Sequence, residues 1–249
     1  MCTHLVFADL SPLPYRSIAQ SLLGLHLAYV SGEDPGLGRV DSARLSEQTL
    51  MELLIADIEG IDSFRDSNGD FLDIHQWKGL KLNNARQSVT EIHFQLLFNR
   101  FFSHGGSIAL KYIPLNVQVF KIAKNQLTGE CDTLCLPRGL LTLGIAQNQL
   151  SGEFSLKNLP PRIQKVYISE NSFHGTLDLP ALPETVERFM ADSNSFTGCL
   201  DFSALPEHLL TLSLGANSFD ESVDYSAVAG IDGLLDEGKE FLWRKMRLW

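Results

Sequence analysis

The sequence is short of cations. Its 249 residues carry 20 Lys and Arg against 30 Asp and Glu, a formal net charge of −10. A nucleic-acid or anionic-membrane surface needs clustered positive charge, so no nucleic-acid partner is expected and membrane binding is disfavoured. Cysteine is scarce as well. Four in the whole chain are too few for a disulfide scaffold. No Cys-x-x-Cys or His-x-x-x-His spacing offers a metal site. No apolar run reaches the length of a membrane-spanning helix. Gly36-Leu37-Gly38 is not followed by a dinucleotide or phosphate-loop pattern. The seven histidines scatter, so no Ser, His and Asp cluster can be assembled from them. No cofactor, no metal and no catalysis are expected. What remains, 44% hydrophobic and 20% charged residues, is a chain that folds around a large core as one domain or at most two.

Residues 1–45 match nothing later in the chain. They are punctuated by Pro, Gly and Ser, as in Ser11-Pro12-Leu13-Pro14 and Asp34-Pro35-Gly36. The apolar run Ser17 to Val30 resembles a signal-peptide core, but its basic start is a lone Arg16 and Gln20 and His26 interrupt it. A poorly ordered N-terminal extension is the favoured reading. Ser46 then offers an N-cap ahead of Leu50, Leu53, Leu54, Ile58 and Ile61, a helical spacing with Gly60 as its stop. Residues 46–91 are read as a helical N-terminal cap. Asp66-Ser67-Asn68-Gly69-Asp70 suggests a calcium loop, but the positions needing Gly and Glu hold Phe71 and Trp77, so it is read as a solvated turn.

The remainder is periodic. Pro114, Pro137, Pro160, Pro183 and Pro206 recur every 23 residues. Asn125, Asn148, Asn171, Asn194 and Asn217 keep the same period, as do Gly129, Gly152, Gly175 and Gly198. Apolar columns run between them: Val117, Leu140, Ile163, Val186 and Leu209; Phe120, Leu143, Val166, Phe189 and Leu212; Ile122, Ile145, Ile168, Ala191 and Leu214. Phe94, Leu96, Asn99 and Phe101 read as a degenerate leading copy with three extra residues. Residues 92–228 are thus one partial and five full repeats, and 229–249 a C-terminal cap or tail.

The alternation Phe120-x-Ile122 has the period of a half-buried strand. One strand per repeat cannot form hairpins, so the strands are parallel and stack in a coil. Each Asn falls where the chain turns after its strand, where a buried side chain can bond backbone groups of its own and the neighbouring turn. The predicted ladder is Asn99, Asn125, Asn148, Asn171, Asn194 and Asn217. Gly in every unit points to backbone closed to residues with a Cβ, and Pro to a return turn with no room for a long helix. Leu177-Asp178-Leu179 alternates again and predicts a second short strand. Asp178, Asp201 and Asp224 form a row read as a solvated outer face.

These residues resemble a leucine-rich repeat protein, and the Asn-x-Phe-x-Gly continuation is similar to the plant-type subclass, over roughly residues 46–228. Trp77-Lys78-Gly79-Leu80-Lys81-Leu82 resembles that family's N-terminal cap, with Leu82 where a disulfide-forming cysteine usually stands. The resemblance implies an α/β-type solenoid: a right-handed coil with a concave parallel β-sheet and a helical N-terminal cap. It also implies protein or peptide ligands bound on that sheet without catalysis. β-helix enzymes, another parallel coil, lack the repeated Asn after the strand.

Concave positions flank the strand columns. The largest residues are Tyr167, Arg188 and Met190, with Lys121 and Lys165 nearby, and the expected partner-binding set is Gln95, Lys121, Lys165, Tyr167, Arg188, Met190 and Ser213. Tyr and Arg commonly anchor protein interfaces. A glycan would need an aromatic row that Tyr167 alone does not supply. The C-terminal residues Leu235, Leu242, Met246 and Trp249 fall near one helical face with Lys239, Arg244, Lys245 and Arg247 nearby, predicting a helix that caps the last coil or meets a partner. The missing cap cysteine, Cys131 in a core column and the absence of any Asn-x-Ser/Thr sequon favour a cytoplasmic or other reducing intracellular compartment over a secreted one. The leading expectation is a monomeric, non-catalytic interaction module with a protein or peptide partner. The alternative is a rigid structural subunit or fragment of a larger receptor or assembly that docks through its ends.

Overall fold

The repeat columns become strands in a computed structural model, which describes residues 45–83, 88–95, 101–102, 105–220, 235–236 and 241–244. Helix α1 (Glu47–Ile55) opens the described chain. Ser46 caps it, its Oγ accepting from the Thr49 amide at 3.1 Å. The helix ends at Ile55, short of the expected Gly60. Ile58 instead forms an isolated antiparallel bridge with Gly106, so the partner strand takes the backbone groups a longer helix would have used.

Two short strands follow, β1 (Leu80–Leu82) and β2 (Val89–His93), paired antiparallel. Then each repeat contributes one strand to each of two sheets. The first set is β4 (Val119–Lys121), β6 (Thr142–Gly144), β8 (Lys165–Tyr167), β10 (Arg188–Met190) and β12 (Thr211–Ser213). The second is β3 (Gly106–Ser107), β5 (Leu127–Glu130), β7 (Gln149–Glu153), β9 (Ser172–Thr176), β11 (Ser195–Gly198) and β13 (Ser218–Phe219). The order β2-β4-β6-β8-β10-β12 is parallel throughout, and the register carries the repeat: Phe120 pairs with Leu143, Leu143 with Val166, Val166 with Phe189, and Phe189 with Leu212. These five side chains point inward and are almost wholly buried. Burying an apolar side chain of this size contributes roughly 1.5–3 kcal/mol.

The second sheet lies on the Asn-x-Phe-x-Gly segment, not on the expected Leu-Asp-Leu. Leu179–Ala181 is a 3-10 turn, like Thr133–Cys135 and Leu156–Asn158 in the preceding repeats. Leu177 and Leu179 are both buried, which satisfies the alternation, but Pro180 has no amide for a ladder and the Leu182 amide closes onto the Leu179 carbonyl at 3.0 Å. Asp178 and Asp201 are exposed, and Asp224 lies outside the described residues.

The leading copy is also shifted. Ile92, not Phe94, pairs with Phe120, and His93 pairs with Lys121. Ile92 and Phe94 therefore occupy the second and third columns, and Asn99 and Leu96 lie outside the described residues. Phe94 joins Phe64, Trp77 and Phe102 in an aromatic cluster beneath the cap. The ring centroid of Phe64 lies 4.7 Å from Trp77, 5.5 Å from Phe94 and 5.9 Å from Phe102.

At the far end the expected helix is replaced by strands. β14 (Leu235–Asp236) and β15 (Phe241–Arg244) pair antiparallel, and β15 pairs antiparallel with β12. An open sheet edge presents unpaired backbone groups, and a strand satisfies them as a helix cannot. Met246, Trp249, Lys239, Lys245 and Arg247 lie outside the described residues, as do residues 1–44.

Candidate functional site

The turn after each strand fixes the concave face. Asn148 Nδ2 donates to the carbonyls of Ile122, Ile145 and Ala146 at 3.1, 3.0 and 3.2 Å, while its Oδ1 accepts from the amides of Asn125 and Leu127 at 3.0 and 3.1 Å. Asn171, Asn194 and Asn217 repeat the three donor contacts one coil further on each time. Asn125 Oδ1 accepts from the Phe101 and Phe102 amides, tying the array to the cap. The residue before each Asn is left-handed: Lys124, Gln147, Glu170, Ser193 and Ala216 have φ between 51° and 65°. Two residues after the repeat's Phe or Leu, Gly129 and Gly175 have φ of 128° and 90°.

On this frame the side chains beside the core columns face outward in register. The first outward column runs Glu91, Val119, Thr142, Lys165, Arg188 and Thr211, and the second runs His93, Lys121, Gly144, Tyr167, Met190 and Ser213. Lys165, Tyr167, Met190 and Lys121 are partly exposed and Arg188 is exposed. Lys165 and Arg188 are direct neighbours, as are Tyr167 and Met190. Adjacent strands lie about 4.8 Å apart, so these four form one patch. The Lys121 stem lies over Gly144, where an added Cβ would come within 3.2 Å of Lys121 Cγ.

The other two expected binding residues stand differently. Gln95 is exposed but lies past the end of β2, because the register shift puts His93 beside Lys121. Ser213 is only 7% exposed, and its Oγ donates to Asp192 Oδ1 at 2.9 Å. Ser169 Oγ donates to the same oxygen at 2.7 Å. Neither Asp192 nor this bridge across three coils was among the expected site residues. Its signal was the polar set Ser169, Asp192 just after the third core column.

Glu91 was missed too. Its Oε2 meets His93 Nε2 at 2.7 Å and Lys81 Nζ at 2.9 Å. The bonds from His93 and then Lys81 hold its carboxyl below the usual value. The full column spacing would have found it, since Val89-x-x-Ile92-x-Phe94 repeats Val117-x-x-Phe120-x-Ile122. Among the described residues no group of His, Cys, Asp and Glu could hold a metal ion, and no helix is long and apolar enough to cross a membrane.

No protein-family model and no curated protein matches the sequence. Solved structures do. The chain is similar to a pollen receptor kinase 3, at 21% identity over 70% of this chain and 84% of that one, with a TM-score of 0.51. It is similar to the ectodomain of the receptor kinase SOBIR1 from Arabidopsis thaliana, at 17% identity over 70% of this chain and 94% of that one, with a TM-score of 0.53. The BIR2 ectodomain from Arabidopsis thaliana gives 19% identity, 71% and 95% coverage and a TM-score of 0.53.

These neighbours correct the expected cytoplasmic or intracellular location, since ectodomains face outward from the cell. The structure shows why the sequence signals misled. A sequon needs Ser or Thr two residues after Asn, but in every ladder repeat that position is Leu127, Leu150, Phe173, Phe196 or Phe219, all packed in or against the core. The repeat itself forbids sequons at its Asn, whatever the compartment. The cap is closed by the Phe64–Trp77 cluster, and Trp77 Nε1 donates to the Leu72 carbonyl at 2.8 Å. In fold, the chain is a leucine-rich repeat protein with plant-type 23-residue repeats.

Proposed function

We propose that this chain is a non-catalytic interaction module that binds a protein or peptide partner on its concave sheet, through Tyr167, Met190, Arg188, Lys165 and Lys121. The observation carrying this reading is the contrast within one face. The core columns and turns are fully engaged, whereas these five outward side chains make no hydrogen bond or ion pair among the described residues. A rigid sheet that presents Tyr and Arg without internal partners suits a docking surface, because little conformational entropy is lost on binding. A similar structure is a complex between two proteins, BIR3 and SERK2 from Arabidopsis thaliana, with a TM-score of 0.50. Gln95 and Ser213 belong at most to the rim of the proposed surface.

The test is capture of binding proteins by the wild-type chain and by a Tyr167→Ala, Arg188→Ala double variant. Loss of a partner held by the wild type supports the patch. Undiminished capture sinks it. A second reading is a rigid part of a larger receptor, docking through its ends. It draws on the similar SOBIR1 and BIR2 structures being ectodomains, that is, parts of longer proteins. Partner loss on altering β14 or β15, with the concave variant still binding, would select it.

A further inference from the structure

The concave face opposes the charge of the rest of the chain. Of the twelve outward positions in register on β2 to β12, three are Lys or Arg, Lys121, Lys165 and Arg188, and one is acidic, Glu91, which is paired with Lys81 and His93. The chain as a whole carries a net charge of −10. A random draw from this composition would place more carboxylates than cations there.

The three cations are also unused. The ion pairs among the described residues are those of Asp73 with His75, and of Glu91 with Lys81 and His93, all in the cap or on β2. The acid nearest in sequence that could quench Arg188 from the following turn is Asp192. Its Oδ1 instead accepts from Ser169 and Ser213 at 2.7 and 2.9 Å. Glu170, on the turn after Tyr167, accepts from Gln147 Nε2 at 2.8 Å. No ion pair joins Asp192, Glu170 or Glu187, the residue before Arg188, to the three cations among the described residues, and the cations are at least partly exposed.

Gly144 separates Lys121 from Tyr167 in the second column and is itself buried beneath the Lys121 stem, which an added side chain would displace. A ligand segment would meet Lys121 on one side of Gly144 and Lys165 with Arg188 on the other.

We infer that the concave face recognises an extended acidic protein segment, its Asp or Glu carboxylates paired with Lys121, Lys165 and Arg188 and an apolar residue set against Tyr167 and Met190. This rests on the proposed role of the same face and adds the chemistry of the partner. About seven extended residues, at about 3.4 Å each, span the roughly 25 Å of six strands. Alternate side chains of such a segment fall on the sheet, so carboxylates spaced by two or more residues can reach successive cations. Arg188 suits a carboxylate in particular, since its planar fork can donate two bonds at once.

The experiment uses the full chain and an array of blocked octapeptides on one frame containing Leu and Tyr, with Glu replaced stepwise by Gln. Affinity is read by fluorescence anisotropy at several salt concentrations. The expected result is about tenfold or more tighter binding from no carboxylate to three, each exposed pair giving a factor of about 2–5. That gain should fade with salt and vanish in a Lys165→Gln, Arg188→Gln variant shown to be folded by circular dichroism. Lys157→Gln, an exposed cation on a 3-10 turn, should leave it intact.

Equal affinity for the Glu and Gln peptides, or a charge dependence that survives the double variant, overturns the inference. So does equally tight binding of a single-stranded thymidine oligonucleotide. Binding of the neutral frame that is lost in Tyr167→Ala overturns the acidic preference alone and leaves the module reading standing. No peptide bound at all, with the concave variant also neutral in partner capture, removes both.

Discussion

Replacing Asn171 by Ala tests the reasoning about the solenoid most directly. The side chain makes four backbone contacts. Its Nδ2 donates to the carbonyls of Ile145, Ile168 and Ser169 at 3.0, 3.1 and 3.2 Å, and its Oδ1 accepts from the Leu150 amide at 3.0 Å. Two of these groups, the Leu150 amide and the Ile145 carbonyl, belong to a neighbouring coil and to residues with no exposed surface. Each such group left unpaired costs about 1–3 kcal/mol. The other two, the Ile168 and Ser169 carbonyls, lie in the turn of Asn171 itself, on residues that are also buried. The expected loss is therefore about 2–6 kcal/mol from the two groups of the neighbouring coil. For a domain of this size that corresponds to a fall in melting temperature of roughly 4–24 °C. Asn125, fully buried and accepting from both Phe101 and Phe102, should lose more than Asn171 on the same change. Asn158→Ala, on a 3-10 turn outside the ladder, should stay within about 0.5 kcal/mol of wild type. The assay is urea unfolding followed by circular dichroism, with amide exchange to localise the loss to the coils on either side. A change at Asn171 no larger than that at Asn158 would refute the ladder's energetic role.

Three further outcomes follow from backbone and charge. Gly129→Ala should cost more than Gly152→Ala, measured by urea unfolding. Both have positive φ, but a Cβ at Gly129 would sit 2.8 Å from the Ile108 carbonyl oxygen, whereas at Gly152 the nearest atom is 3.8 Å away. The difference should be about 1–2 kcal/mol, and equal costs would contradict the clash. Ala216→Gly should stabilise by about 0.5 kcal/mol, because Ala216 is exposed and held at φ 51°; a destabilised variant would show that the strain is absent. Glu52 is buried, and burial raises its pKa above 4.5 despite the bond from Gln48. A raised carboxylate destabilises the ionised fold, so Glu52→Gln should be more stable than wild type at pH 7, and the gap should close as pH falls through the folded value toward 4.5. A gap that widens on acidification would reverse the sign.

Reading ahead from the sequence worked where one residue type answered one local need. The Asn column, the positive-φ Gly column and the inward column from Phe120 to Leu212 each repeat one steric or hydrogen-bonding demand, so each was visible without coordinates. It failed where two local readings were equally good. Leu177-Asp178-Leu179 alternates like a strand, and only the closure of Leu182 onto Leu179 makes it a turn. The leading copy could be aligned on Ile92 or on Phe94, and pairing with Phe120 decided it. The C-terminal residues showed a helical face, but the open edge of β12 drew them into strands.

For the candidate site the division is the same. That Lys121, Lys165, Tyr167, Arg188 and Met190 share a face follows from the 23-residue period and the two-residue alternation of a strand, both properties of the sequence alone. Which charges on that face are free does not. Ser169 and Ser213 are far apart in the chain, and they come to the same Asp192 oxygen only because successive coils stack in register. Periodicity thus determined which residues point outward. Stacking decided which of them already have partners, because hydrogen bonds between coils depend on distances that no single repeat contains.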